Sequence, residues 1–307
     1  MRIAVMATGG VGGYFGAKLA QSGHDVAFIA RGRHLAALRE HGLSVRSANG
    51  DMRIAQPTLV EDPKTLGPVE AVLFAVKLWD TESAAEAVRP LVAKGGVIVP
   101  FQNGVESIER IGAVVGASQV MGGVAYIAAT IAEPGVIAHT GTMARLQFGA
   151  VLPEQQPAAE ALLAACNSAG FEAALSTDIR RALWEKFVFL AAFSGITSVS
   201  RQPLGVVRGD PDSRAAFEAA IREVWTLGRA HGVSLPDDFV DTRMKFADTL
   251  PAEMKSSMQN DLAAGNRLEA PWLCGAVARM AAAAGIPAPV NATLYAALKP
   301  YCSGTAR

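Results

Sequence analysis

Two sets of residues in this chain have the types and spacing to do chemistry. The first lies near the N-terminus. An apolar run, Ile3-Ala4-Val5-Met6, opens into Ala7-Thr8-Gly9-Gly10-Val11-Gly12-Gly13, then into the helix-compatible stretch Tyr14-Phe15-Gly16-Ala17-Lys18-Leu19-Ala20. Strand, glycine turn, helix is the order that offers free backbone N–H groups and a positive dipole end to phosphates. In that order Gly9 lets the backbone approach a pyrophosphate, and Gly12 lets the helix pack closely on the strand. The tight-turn position is Ala7, whose small side chain a modest adjustment of the turn would accommodate. Ala7, Thr8, Gly9, Gly10, Val11 and Gly12 are therefore expected to line a dinucleotide. The plainer alternative is an ordinary strand-to-helix turn.

The end of the second strand selects between nucleotides. Asp25-Val26-Ala27-Phe28-Ile29-Ala30 ends in Arg31-Gly32-Arg33. A unit that reads the ribose hydroxyl of NAD places Asp or Glu here, about 20 residues after the glycines. No acid stands at this point. A guanidinium can instead take a 2′-phosphate in a bidentate, charge-assisted pair, so the expected cofactor is NADP(H), with a solvated turn arginine as the alternative.

The second set is Trp184-Glu185-Lys186-Phe187-Val188-Phe189-Leu190. Lys186 lies in an apolar helical segment, where desolvation disfavours the ammonium and lowers its pKa. Such a lysine can act as a general acid near neutral pH; a snorkelling side chain is the bland reading. Lys77 follows the strand residues Phe74-Ala75-Val76, and Gln102-Asn103-Gly104 follows Val99-Pro100-Phe101. Both fall on the edge of a sheet where ligands bind. His24, His34, His41, His139 and His231 show no zinc-ligand spacing, and no G-x-S-x-G elbow occurs. No metal site is expected.

These residues need a scaffold. Arg33 to Glu40 suits a short helix, and Asn49-Gly50 between Leu43–Arg46 and Met52–Ala55 reads as a hairpin. Buried strands are expected at Ala71–Val76 and Val97–Phe101, with a helix over Thr81–Leu91 between them. Short apolar runs alternating with helices imply a parallel, doubly wound sheet of Rossmann type. Val120–Ala129, Val136–His139 and Arg145–Gly149 are strand-like and are expected to extend it. From Asp178 onward helical patterning dominates, over Ile179–Val199, Pro211–Gly232, Pro236–Leu250 and Pro271–Gly285. The expected architecture is α/β, with a nucleotide-binding domain over 1–175 and an all-α substrate and catalytic domain over 176–307. The crevice between them is the expected active site.

The 307 residues allow about two domains. Lys plus Arg (28) balances Asp plus Glu (28), so no general basic surface invites nucleic acid or an anionic membrane. Cys166, Cys274 and Cys302 are widely spaced, as expected for free thiols in a reducing compartment. The N-terminus reads as a structural strand rather than a targeting segment, and the apolar run Phe187–Val199 is too short to span a bilayer. A cytoplasmic protein is expected, and the apolar helical half suits a homodimer.

Taken in order, these motifs resemble the ketopantoate reductase family over essentially the whole length. The residues concerned are Ile3–Gly16, Arg31, Phe74–Lys77, Gln102–Gly104, Asp178-Ile179, Trp184–Lys186, Ser256-Ser257-Met258, Asp261 and Glu269. The resemblance implies a helical domain related to those of 6-phosphogluconate dehydrogenase-like enzymes. It implies that Lys186 is the proton donor and Glu269 the acid that works with it and with the cofactor. It also implies cofactor contacts at Lys77, Asn103 and the backbone near Ala128, and substrate contacts at Lys186, Asn103 and Ser257. The reaction implied is NADPH-dependent reduction of 2-dehydropantoate to pantoate, a step of pantothenate biosynthesis, or of a related 2-oxo acid. Where the family places three asparagines after the lysine, this chain has Leu190, Ser194 and Leu204. Ser194 remains a candidate substrate contact, but each lost amide would leave a buried substrate group unpaired at about 1–3 kcal/mol. Other readings are a two-domain dehydrogenase forming opines or reducing imines, or an NADPH-binding protein without turnover.

Overall fold

The computed structural model describes residues 1–93 and 95–305. Its contacts divide the chain into two units: Met1–Gln102 with Glu106–Ala182, and Asn103–Val105 with the chain from Leu183 onward. The first unit runs β1 (Arg2–Met6), α1 (Gly10–Gln21), β2 (Asp25–Ile29), α2 (Gly32–His41), β3 (Leu43–Ser47), β4 (Met52–Ile54) and β5 (Thr58–Val60). It continues through β6 (Ala71–Phe74), α3 (Thr81–Val92), β7 (Val97–Pro100), α4 (Ser107–Val115), β8 (Gly122–Glu133), β9 (Val136–Gly149), α5 (Gln156–Ser168) and β10 (Glu172–Leu175).

Five of these strands form a parallel sheet in the order β5-β2-β1-β6-β7. Its central strands read as unbroken apolar runs because both faces are covered: Ile3, Val5, Phe28, Val72, Phe74, Ile98 and Val99 are fully buried. From β1 the chain winds outward first through β2 and later through β6, so the order reverses beside β1. That is the switch point at which such sheets open a ligand crevice, and the glycine turn leaves the sheet there.

The expected extension of this sheet by the later strands is not what forms. β8 and β9 build a second sheet with β3, β4 and β10, in the order β10-β9-β3-β4 with β8 paired to β9. β9 is long enough to pair with β3 near its start and with β10 near its end. Just before β8, a parallel bridge joins Val120 to Ile98 of β7 in the first sheet. The reason lies in α1, which needs cover on two faces. On one face, a Cβ at Gly12 would collide with Ala7 O and come within 2.8 Å of Val5; at Gly16 it would lie 2.7 Å from Phe28. On the other face, a Cβ at Gly10 would collide with Ala129 O, and at Gly13 it would lie 2.8 Å from Ile137. The helix is thus pressed between the two sheets, with glycines on both sides.

The second unit is helical: α6 (Ile179–Ser200, entering from the first unit), α7 (Leu204–Gly209), α8 (Pro211–Ala230), α9 (Phe239–Thr249), α10 (Ser257–Ala263), α11 (Cys274–Ala283) and α12 (Pro289–Leu298). Its core includes Phe187, Phe217, Ile221, Leu227 and Val277. The ends are set by specific acceptors. Asp210 caps α8 through Ser213 N at 2.8 Å, with Pro211 at the first helical position. Glu223 on α8 takes the first N–H groups of α12, from Val290 at 2.7 Å and Asn291 at 2.9 Å. By length and composition α6 could cross a membrane, but 72% of that window is buried inside the protein.

The contrast between neighbouring glycines can be tested. Gly10→Ala should lower stability by about 1–3 kcal/mol, because the new methyl meets a backbone carbonyl that cannot yield. Gly9→Ala, with φ −85° and nothing within 4 Å of its Cβ position, should stay within about 0.5 kcal/mol of wild type. Coincident urea midpoints for the two variants would contradict this packing.

Candidate active site

The glycine turn is built by fixing the backbone on either side of it. Ala7 sits at φ +75°, so the turn keeps its left-handed form rather than adjusting to the alanine. That conformation costs an L-residue about 1–2 kcal/mol. Thr8 is buried, and both its backbone N–H and its Oγ1 donate to Ile29 O at 3.0 Å. His34 of α2 closes the arrangement: its Nε2 lies 2.8 Å from Thr8 O, and its Nδ1 accepts from Gly135 N at 3.1 Å. Those partners require the neutral Nε2–H tautomer. Burial favours it, pushing the His34 pKa below its usual value against the pull of the Thr8 carbonyl.

What remains open is suited to an anion. Gly9 is the N-cap of α1 and supplies no side-chain cap, so the first N–H groups of the helix keep their positive end uncapped by a side chain. Nothing lies within 4 Å of the Gly9 Cβ position. Gly10 and Gly12 owe their identity to packing against Ala129 and β1, not to space for a ligand. Val11 is half-buried at the same turn. Ala128 is exposed at a break in the β8–β9 ladder, between the pairs Ile127–Ala144 and Ala129–His139. This break falls beside Ala129, the residue that covers Gly10.

Arg31 is the N-cap of α2, with its side chain 80% exposed, and pairs with Asp80 at 2.6 Å. Asp80 closes the short 3-10 turn Leu78–Asp80 after β6. Lys77 caps that turn, with its ammonium 5.7 Å from the centre of the Trp79 ring. Gln102 is buried and structural: its Nε2 donates to Val76 O at 3.0 Å and Thr81 Oγ1 at 2.9 Å, holding the ends of β6 and β7 together. These residues fit a dinucleotide, with phosphates at the α1 N-terminus and a guanidinium at the end of β2.

The second unit gathers a different set. Lys186 on α6 donates from Nζ to Asn103 Oδ1 at 3.0 Å. Desolvation lowers the Lys186 pKa to about 8, while the charge of Glu269 acts in the opposite direction. Glu269 is itself buried, at the N-cap of the 3-10 turn Ala270–Trp272. Asn103, Lys186 and Glu269 are 83 residues apart or more along the chain, yet form one group. Ser257 is exposed at the first position of α10. Its neighbour Ser256 is the buried cap, bonded to Gln259 N at 3.1 Å and to Thr197 of α6 at 3.0 Å. Ser194 is fully buried, and its Oγ has no hydrogen-bond partner among the described residues. Leu204 is core, and Leu190 is half-buried on α6. Among the described residues no group of three or more His, Cys, Asp or Glu could hold a metal ion.

Sequence reasoning missed His34 and Asp80. His34 was set aside because it lacked zinc spacing; its role depends on Gly135, 101 residues away. Asp80 gives no local signal, since its partner lies 49 residues upstream.

A helix N-terminus open to an anion and a half-buried lysine of lowered pKa suit an oxidoreductase. Residues 3–153 match the family model described as ketopantoate reductase PanE/ApbA, and 178–301 match its C-terminal counterpart. The chain belongs to the ketopantoate reductase family. It is 32% identical to an uncharacterized oxidoreductase, YkpB, of Bacillus subtilis, over 98% of this chain and 99% of that one. The crystal structure of a 2-dehydropantoate 2-reductase from Geobacter metallireducens superposes with a TM-score of 0.91 at 32% identity, covering 98% of this chain and 99% of that one. D-mandelate dehydrogenase, solved with NADH and anilino(oxo)acetate, shares the fold at a TM-score of 0.90 and 19% identity, with 98% of each chain covered.

The electrostatics of the lysine predict one shift directly. Glu269→Gln should move the Lys186 pKa below about 8, because removing the carboxylate charge leaves desolvation unopposed. The pH dependence of the Lys186 signal after 13C-reductive methylation reports it. A pKa that stayed in place or rose would show that Glu269 does not act on the ammonium.

Proposed function

We propose that this protein reduces a 2-oxo acid to a 2-hydroxy acid with NADPH, acting on 2-dehydropantoate or a related 2-oxo acid. The observation that carries the reading is the Lys186 ammonium, held by Asn103 and balanced by Glu269, with a pKa of about 8. A general acid works best when its pKa lies near the operating pH. The uncapped α1 N-terminus and Arg31 support the nucleotide part of the reading. A nicotinamide nucleotide held by the α1 N-terminus and Arg31 would supply a hydride to the substrate C2. As the C2–O π pair moves onto oxygen, the Nζ proton of Lys186 passes to that oxygen. The lysine is left neutral and recovers its proton from solvent. Asn103 accepts from Nζ and so fixes the direction of the ammonium. Glu269 keeps enough negative charge nearby for the lysine to start protonated near neutral pH. A cytoplasmic setting agrees with the free state of Cys166, Cys274 and Cys302.

Leu190 bears on the choice of substrate. It lies four residues after Lys186 on α6, hence on the same face of the helix. An apolar side chain there favours 2-oxo acids with apolar substituents over those that need an amide partner. A panel of 2-oxo acids including 2-dehydropantoate, assayed by NADPH oxidation with and without an added amine, separates this reading from opine or imine formation.

Two outcomes are expected. Lys186→Ala should retain NADPH binding and lose turnover by about two to four orders of magnitude, the range of general acid catalysis; near-normal turnover would refute the assignment. The wild-type reduction rate should be level below pH 8 and fall tenfold per pH unit well above it, because only the protonated lysine donates. A rate that rose through pH 8 would assign the lysine the opposite role.

A further inference from the structure

We propose that Asp80 sets the nucleotide preference of the first unit, by competing for the Arg31 guanidinium with the 2′-phosphate that distinguishes NADPH from NADH. This rests on reading that unit as the nucleotide-binding one. In the sheet, β2 and β6 flank β1 on opposite sides. Arg31 stands just beyond β2 and Asp80 ends the turn after β6, so their ion pair joins the strand ends on either side of the glycine turn.

The two partners are not equally free. Asp80 is held on its turn by its own backbone: its N–H donates to Lys77 O at 2.9 Å, and its carbonyl accepts from Ser83 Oγ at 3.1 Å. Its side chain is 27% exposed, against 80% for Arg31. The carboxylate is the fixed member and the guanidinium the adaptable one. A phosphate that engages Arg31 must draw it from Asp80 or accept a like charge beside it. A ribose with a free 2′-hydroxyl meets neither cost and can donate to a carboxylate. An acid at this edge is the chemistry that reads that hydroxyl; here it arrives from the β6 side instead of the end of β2. The preference for NADPH is therefore narrower than Arg31 alone would give, and NADH is also accepted.

Calorimetry on the full chain with adenosine 2′,5′-bisphosphate and with 5′-AMP tests this without turnover. Asp80→Asn keeps the shape of the α3 N-cap and removes the charge. It should tighten the bisphosphate about three- to fivefold, the scale of an exposed ion pair, without tightening 5′-AMP. The gain should vanish when Arg31→Ala is added. No gain, or an equal gain with and without Arg31, overturns the competition. A wild-type protein that bound neither probe would remove the nucleotide reading itself, whereas binding of both with a ratio unmoved by Asp80→Asn removes only the role of Asp80.

Discussion

The ligand-binding edge of the first unit depends on how closely one helix can be pressed between two sheets. α1 carries glycines toward β1 and β2 and glycines toward β8 and β9, and several of those positions have no room for a Cβ. A helix packed this closely on two faces is held by both sheets, which sets the direction of its N-terminus. Preorganised donors of this kind need no rearrangement when charge arrives, which makes them effective in binding sites. The cost falls locally, on the left-handed Ala7 and on helix N–H groups without a side-chain cap. His34 supports the same turn from behind, as a neutral ring bridging Thr8 to the β8–β9 turn.

The second unit meets the opposite problem, keeping a charge where water is scarce. Burial disfavours the Lys186 ammonium, and a neighbouring carboxylate favours it. The observed balance lies between: burial lowers its pKa, Glu269 opposes that, and Asn103 contributes a neutral acceptor that orients Nζ without adding charge. Asn103 comes three residues after β7 ends at Pro100. The chain leaving the sheet edge therefore supplies the lysine's acceptor, and Gln102, immediately before it, is pinned to Val76 and Thr81.

The parts legible in the sequence were those whose signal is local. β1, α1 and β2, the hairpin around Asn49-Gly50, and the helices over 179–200 and 211–230 follow from short-range periodicity and turn chemistry. α4, α5, α7, α10 and α12 were missed, four of them short runs of six to ten residues and α5 a 13-residue helix whose apolar spacing did not stand out. The placement of β8 and β9 could not be read either. Their apolar alternation says that they are strands, while the choice of sheet depends on a helix surface more than 100 residues earlier. At the site, Gly12 was read for the reason the packing supports, close approach of α1 to β1, while Gly10 has a different one, a backbone carbonyl from β8. The group of Asn103, Lys186 and Glu269 was reached through a family resemblance, since nothing in the spacing of those residues brings them together.

The family places asparagines at three positions where this chain has other residues, and those positions are not equivalent here. Leu204 opens α7 with its backbone N–H on Met254 O at 2.9 Å and its side chain fully inside the helical core. An amide there would be buried without a partner, at a cost of about 1–3 kcal/mol, so leucine at this site serves the fold. Ser194 lies one turn beyond Leu190, with its hydroxyl buried and its Oγ lacking a hydrogen-bond partner among the described residues. A serine that does not bond back to its own helix keeps its capacity for a polar neighbour while filling much less space than an asparagine. Leu190, one turn from the lysine, offers only apolar surface. Of the three, Leu190 thus removes a polar side chain one turn from Lys186, Ser194 keeps a smaller polar group, and Leu204 belongs to the helical core. The Lys186–Asn103 bond and the Glu269 charge involve none of these three positions, so on the reading proposed above the changes bear on the substrate's substituent and not on the proton donor.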